Sequence, residues 1–333
     1  MNRADFIQGV VRTRVLEKRL ITKDKFEQMI NAPDIKDVFK ILSGTEYQNH
    51  YGKISSFEEY EKVLSAELKR VYTRMREISP EDYIIALAAL KYDFHNLKVL
   101  LKEKIMDTDF SRLFIPVGVY DFEQIKKQRL PDGLNGTHPE LQAIIAEVMK
   151  DYETFNDPQR IDILLDRMYA DRMYDMAISS GVPLFVEYVK ALIDFNNFRT
   201  VLRIQKQGED IKFLGEVLLD HGNIEKEKFL YSFHDNISKF LYKLRNEKTG
   251  KALTGGLEAY LKTNRPADLE KKLDDFIMDI LEPAKYIHFG PEPLFAYILA
   301  KEREIQNLRI ILVSKFNQLP PAEIRKRVRK IHA

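Results

Sequence analysis

Cysteine is absent from all 333 residues, which excludes disulfides, thiolate nucleophiles and Cys-ligated zinc or iron–sulfur centres together. A chain without thiols fits a reducing compartment. Long apolar runs are missing too. The longest, Ile84 to Leu90, falls far short of the roughly 20 residues that span a bilayer. The opening Met1-Asn2-Arg3-Ala4-Asp5 has an early acid and no apolar stretch behind it, so no secretory leader is read. The expectation is a cytoplasmic chain that meets a membrane only through a partner. An excess of charge is lacking as well: 53 Lys and Arg face 51 Asp and Glu, a formal +2. That balance argues against nucleic-acid binding, which needs a basic footprint to displace counterions.

Catalytic signatures are missing in the same systematic way. No GxGxxG or GxxxxGK cradles a phosphate, no HExxH pairs histidines for a metal, and no GxSxG raises a serine nucleophile. His50, His95, His138, His221, His234, His288 and His332 show no i,i+4 pairing. Catalytic residues, cofactors and metals are therefore all expected to be none.

What the chain does have is apolar residues at 44%, among them 20 Phe and 16 Tyr, enough to fold with a sizeable core. Its length suggests two or three units. Gly and Pro, only 14 and 13, fall at helix punctuation. Ser79-Pro80-Glu81-Asp82 predicts an N-cap with proline in the first turn. Thr137-His138-Pro139-Glu140 and Ser56-Phe57-Glu58-Glu59 have capping-box spacing. Gly181 ends one helix and Pro183 starts the next, while Pro266 and Pro321 open two more. Leu184, Tyr188, Leu192, Phe195, Phe198 and Leu202 share one face of a 3.6-residue period, as do Leu269, Leu273, Phe276 and Ile280. The expected fold class is all-α, with about fifteen helices.

An internal repeat carries the most information. His95-Asn96-Leu97-Lys98-Val99-Leu100-Leu101, Asn196-Asn197-Phe198-Arg199-Thr200-Val201-Leu202 and Gln306-Asn307-Leu308-Arg309-Ile310-Ile311-Leu312 align without gaps. Upstream stand Asp93-Phe94, Asp194-Phe195 and Glu304-Ile305. The three Asn are 101 and 110 residues apart, against 111 for a third of the chain. Each third also opens with an aliphatic, a charged turn and Phe: Ile21 to Phe26, Val119 to Phe122, Ile224 to Phe229. Such a period exceeds that of solenoids. It predicts three similar helical lobes about a pseudo-threefold axis, spanning 1–113, 114–213 and 214–333, with termini that can cross between lobes.

The repeated positions Asn96, Lys98, Asn197, Arg199, Asn307 and Arg309 are the candidate sites. The amides can satisfy buried backbone where helices cross, or the three sets can line a shared partner-binding surface. The first reading is favoured because Leu97, Phe198 and Leu308 beside them look like core. The cations, two residues on, point roughly 200° away and need not share that environment. His95 aligns with Asn196 and Gln306, so it reads as a hydrogen-bonding position, and His288 beside Gly290-Pro291 reads as structural. From Pro320 onward, five cations (Arg325, Lys326, Arg327, Arg329, Lys330) oppose one acid, Glu323. An anionic lipid surface could attract them. A terminal amphipathic helix docked through Ile324, Val328 and Ile331 is the preferred reading.

The motifs resemble the C subunit of archaeal- and bacterial-type V/A-ATPases, the relative of the d subunit of vacuolar ATPases. The resemblance runs nearly the full chain: Val11-Arg12-Thr13-Arg14-Val15, Ile41-Leu42-Ser43-Gly44-Thr45-Glu46-Tyr47, Asp93 to Lys98, Asp194 to Thr200, and Tyr297 to Glu304 with Asn307-Leu308-Arg309. It implies a funnel of three lobes acting as a socket. One end would sit on the membrane proteolipid ring, on its cytoplasmic face, and the other would take the rotor-shaft subunits of the central stalk, passing rotation between ATP hydrolysis or synthesis and ion transport. It also implies that the chain itself hydrolyses nothing. The competing reading is a helical-repeat scaffold outside any rotary motor.

Overall fold

Proline and glycine set many of the helix boundaries. The computed structural model describes residues 2–127, 138–235, 237–263 and 266–331. Among them lie sixteen α-helices, several 3-10 turns and no strand. The first third holds α1 (Ile7–Glu17), α2 (Lys23–Asn31), α3 (Ile35–Leu42), α4 (Tyr60–Ile78) and α5 (Asp82–Met106). Then come α6 (Phe122–Lys127), α7 (Pro139–Phe155), α8 (Pro158–Ser180), α9 (Pro183–Gln207), α10 (Ile211–Val217) and α11 (Lys226–Tyr231). The chain finishes with α12 (Ile237–Leu244), α13 (Lys248–Thr263), α14 (Pro266–Leu281), α15 (Glu292–Phe316) and α16 (Pro321–Arg327).

Pro158, Pro183 and Pro321 sit in first turns, where a missing N–H leaves no hydrogen bond unmade. Gly181 and Gly208 close α8 and α9 in the left-handed region, at φ +66° and +74°. Three expected boundaries form differently. Helix α5 starts at Asp82: Ser79 caps the end of α4, and its hydroxyl donates to the Glu81 carbonyl at 2.7 Å. With Ser79 held extended before proline, Pro80 turns between the helices instead of opening one. Ser56 makes no side-chain cap. Glu59 accepts from the Ser55 N–H at 2.8 Å instead, and a 3-10 turn leads into α4. The C-terminal helix stops at Arg327, where Val328 becomes extended, so Val328 docks from coil and only Ile324 from the helix. Thr137 lies outside the described residues; α7 begins after His138 with Pro139 in its first turn.

Three helices dominate, and each is 25 residues long: α5, α9 and α15. They carry the three copies of the repeat. Leu97, Phe198 and Leu308 are buried in one contiguous core. Helix α15 buries Leu294 through Ala300 without a break, as a helix enclosed on all sides must. Phe295 packs on Phe185 and Tyr188, with ring centroids 4.6 and 5.1 Å apart, which joins α15 to α9. The pairing of long helices follows one order: α5 packs on α8, α9 on α14, and α15 on α4. Each repeat helix thus leans on the helix that precedes the next repeat helix, with the last leaning on the first.

Candidate functional site

Each repeated asparagine pairs with both backbone groups of a single residue. Asn96 accepts from the Ile115 N–H at 2.8 Å and donates to the Ile115 carbonyl at 2.9 Å. Asn197 does the same to Leu219, at 2.7 and 2.8 Å. Asn307 does so to Arg329, at 2.8 and 3.2 Å. The amide is suited to this because its oxygen accepts while its nitrogen donates, so one side chain satisfies both polar groups of a coil residue. All three amides are buried.

One turn earlier stands a buried carboxylate. Asp93 accepts from the Val119 N–H (2.9 Å) and the Tyr120 N–H (3.1 Å). Asp194 accepts from the Ile224 N–H (3.0 Å) and the Thr249 hydroxyl (2.8 Å). Glu304 accepts from the Ile21 N–H (2.6 Å) and the Tyr47 hydroxyl (2.9 Å). The bonded residues Val119, Ile224 and Ile21 are the aliphatics that open the three thirds. The backbone passes so close to the two aspartates that a Cβ on Gly118 would sit 2.0 Å from Asp93 Oδ1, and one on Gly222 2.3 Å from Asp194 Oδ1. Burial pushes Asp93 up to about 6, against the pull of its two backbone donors. Burial also raises Asp194, opposed by its own donors.

The repeated cations face elsewhere. Lys98 bonds Asp166 at 2.6 Å, and Arg309 bonds Glu61 through two nitrogens at 2.6 and 3.0 Å. Arg199 leaves its Nε buried without a hydrogen-bond partner among the described residues. Lys98 and Arg199 meet in one cleft of about 550 Å³ that also holds Asp162, Asp166 and Arg203. Arg309 is not part of that cleft. His95 Nε2 lies 3.0 Å from the Leu113 carbonyl, and His288 is exposed.

A buried ionic knot escaped the sequence reading. Lys301 Nζ lies 2.9 Å from Glu67 and 2.5 Å from Glu304, all three side chains almost fully enclosed. Arg70 adds two bonds to Glu67, at 2.7 and 2.8 Å, and His50 Nε2 is 3.0 Å from the same carboxylate. Burial alone would raise Glu67, yet the Arg70 bonds and the Lys301 charge hold it down at about 2. Burial would likewise lower Lys301, and the two glutamates outweigh it, so its ammonium is held above the usual lysine range. The available signal was a Lys and a Glu three residues apart directly after seven apolar residues.

The basic C-terminal segment is largely neutralised. Arg325 pairs with Glu27 at 2.8 Å, Lys326 with Glu323 at 2.7 Å, Arg329 with Asp274 at 3.2 Å, and Lys330 with Asp279. Among the described residues no helix is long and apolar enough to cross a membrane, and no cluster of His, Asp and Glu could hold a metal. The shared chemistry of the repeated amides and carboxylates is thus hydrogen bonding that pins distant segments together.

Relatives match this chain nearly end to end. The C subunit of the V-type sodium ATPase of Enterococcus hirae is 30% identical over 334 residues, covering 98% of each chain. The C subunit of the A-type ATP synthase of Methanocaldococcus jannaschii is 25% identical, covering 94% of this chain and 84% of that one. That of Methanosarcina acetivorans is 24% identical, covering 94% and 89%. Residues 10–327 match the family model described as ATP synthase (C/AC39) subunit, and the chain belongs to that family of non-catalytic stalk subunits of V- and A-type ATPases.

Proposed function

We propose that this chain is the socket of a rotary ATPase, joining the rotor shaft of the central stalk to the membrane proteolipid ring and carrying rotation between them. The body is a funnel of three lobes about a pseudo-threefold axis, built on the copies 1–113, 114–213 and 214–333. It is held peripherally on the cytoplasmic face through the ring. One observation carries the reading: the three amide and carboxylate clamps are alike, and the third closes on the start of the chain, Glu304 on Ile21. A closed cycle of this kind suits a torque coupler. Each lobe is tied to the next by buried hydrogen bonds, so twist meets packed helices at every step and no free linker winds up.

Its contacts with shaft and ring are polar patches of both signs, as a chain of 53 cations and 51 acids provides. Single exposed ion pairs contribute about 0–1 kcal/mol, so many must act together, and association weakens as salt rises. The test is reconstitution of the rotary complex with and without this chain, scoring ATP-driven ion flux alongside hydrolysis. Flux should vanish without the chain while hydrolysis by the catalytic head persists. Coupled flux in its absence would overturn the assignment.

A further inference from the structure

A cleft of about 760 Å³ lies between α1 and α4, with one wall completed by residues 50–53. Six cations line it: Arg12, Arg19, Lys53, Lys69, Arg70 and Arg74. Its one acid is Glu77. Such an imbalance is local, since the chain as a whole is nearly neutral. Arg19 and Arg70 share Glu46, at 2.8 and 3.3 Å, and Arg74 pairs with Glu77 at 2.8 Å. Arg12, Lys53 and Lys69 have no acidic partner among the described residues and are exposed. This contrasts with the C-terminal basic run, where four of the five cations are paired within the chain.

Besides the charged residues, the lining is Val15, Leu16, Ala66 and Ile78, with Thr73 and with His50, whose Nε2 faces Glu67. Beside it, α1 exposes Ile7, Val11 and Val15 at 50, 61 and 51%, a stripe at i, i+4, i+8 along one helix edge. The opposite edge of α1 is buried, with Gly9 close enough to α4 that a Cβ there would lie 3.2 Å from the Ile78 carbonyl. The outward stripe is therefore surplus to the packing of α1.

We propose that this cleft docks an acidic amphipathic segment of a neighbouring protein in the assembly, its aliphatic residues on Leu16 and Ala66 and its carboxylates on Arg12, Lys53 and Lys69. The proposal rests on the rotor reading for the existence of that assembly. Shape and chemistry favour a protein segment. A planar lipid surface does not enter a concave cleft. A small polyanion would leave the apolar lining of Val15, Leu16, Ala66 and Ile78 uncovered, whereas an amphipathic segment covers it. A helix with one apolar face and flanking acids matches that layout, and the flanking charges add steering and salt dependence.

The test uses the complex reconstituted with the full chain. A carbodiimide that couples amines to carboxylates is applied to the assembled complex, and the products are mapped by mass spectrometry. Lys53 and Lys69 are expected to join Asp or Glu of another protein of the complex, in a segment with apolar residues at i, i+3 and i+4. In parallel, the triple variant Arg12→Glu, Lys53→Glu, Lys69→Glu, with helicity checked by circular dichroism, should bind the complex on the order of tenfold to a hundredfold more weakly. Its salt dependence should also be flatter. Assembly of the triple variant with unchanged affinity and salt slope would overturn the proposal and leave the rotor reading standing. So would coupling of the two lysines only within this chain. Capture of the free wild-type chain by phosphatidylglycerol vesicles, lost in the triple variant, would assign the cleft to lipid and overturn it too. A wild-type chain that never enters the complex removes the rotor reading and this proposal with it.

Discussion

At the scale of single residues, the amide clamps make separable stability predictions. Asn197 and its partner Leu219 are both buried, so Asn197→Leu strands a buried N–H and a buried carbonyl at once. At about 1–3 kcal/mol for each unsatisfied group, a loss of about 2–6 kcal/mol is expected in urea unfolding. Asn307→Leu should cost less, because its two bonds to Arg329 are only part-buried, whereas those of Asn197 to Leu219 are buried. Asp93 gives a pH signature. Its folded value of about 6 lies above the roughly 3.9 of an unfolded aspartate. The folded chain therefore holds the extra proton between those values, and this group's contribution to stability falls as pH rises from about 4 to about 6. In Asp93→Asn that slope should disappear, so the stability difference between variant and wild type changes across this window. A difference that stays constant from about pH 4 to 7 would show that Asp93 is already ionised when folded.

At the scale of elements, α15 holds its place through charge as well as apolar packing. Lys301 sits between Glu67 of α4 and Glu304 of its own helix, and removing one member of a buried pair leaves the other uncompensated. Lys301→Met is expected to cost about 3–5 kcal/mol in urea unfolding. Adding Glu304→Gln should recover part of that loss, since Glu67 keeps its Arg70 bonds whereas Lys301 is the one cation paired with Glu304 among the described residues. Additive losses in the double variant would mean that the two side chains do not interact. This knot also marks the limit of sequence reading. The three repeat helices are legible because each repeats a long apolar pattern with Asn at matching places, and such periodicity is a local signal. Lys301 and Glu67 are 234 positions apart in number, and no local pattern says that α4 covers α15. The start of α5 differs from its expected place for a related reason: Ser79 can cap a following helix or close a preceding one, and only the packed turn decides. The amides stand out by their spacing, while their partners Ile115, Leu219 and Arg329 lie in coil without any motif. The unpaired cations of the α1–α4 cleft come from three separate elements and form no run in the sequence.

At the scale of the molecule, the chain's two ends complete each other. Glu304 holds Ile21, Lys315 Nζ donates to the Ile30 and Ala32 carbonyls at 2.6 and 2.5 Å, and Arg325 pairs with Glu27. Arg14 reaches the Ala284 and Ile287 carbonyls at 2.7 and 2.8 Å. In the first two repeats the clamped aliphatic follows the clamped coil residue by four or five positions: Ile115 to Val119, Leu219 to Ile224. In the third repeat the clamped coil residue is Arg329 and the clamped aliphatic is Ile21, from the opposite end of the numbering. Residues 1–54 are therefore tied to the C-terminal part of the chain by contacts and not by sequence order. Dividing the chain at the exposed turn around Ser55 and Ser56 tests this directly. Residues 55–333 alone would leave Lys315 and Glu304 without their backbone partners and strip cover from α15, so the fragment is expected to aggregate or to lose its cooperative transition. Co-expressed with residues 1–54, it should form a stable one-to-one complex that melts in a single transition near that of the whole chain. If residues 55–333 fold alone with the thermal midpoint of the intact protein, the closure is dispensable, and the fold is held by the packing of its helices alone.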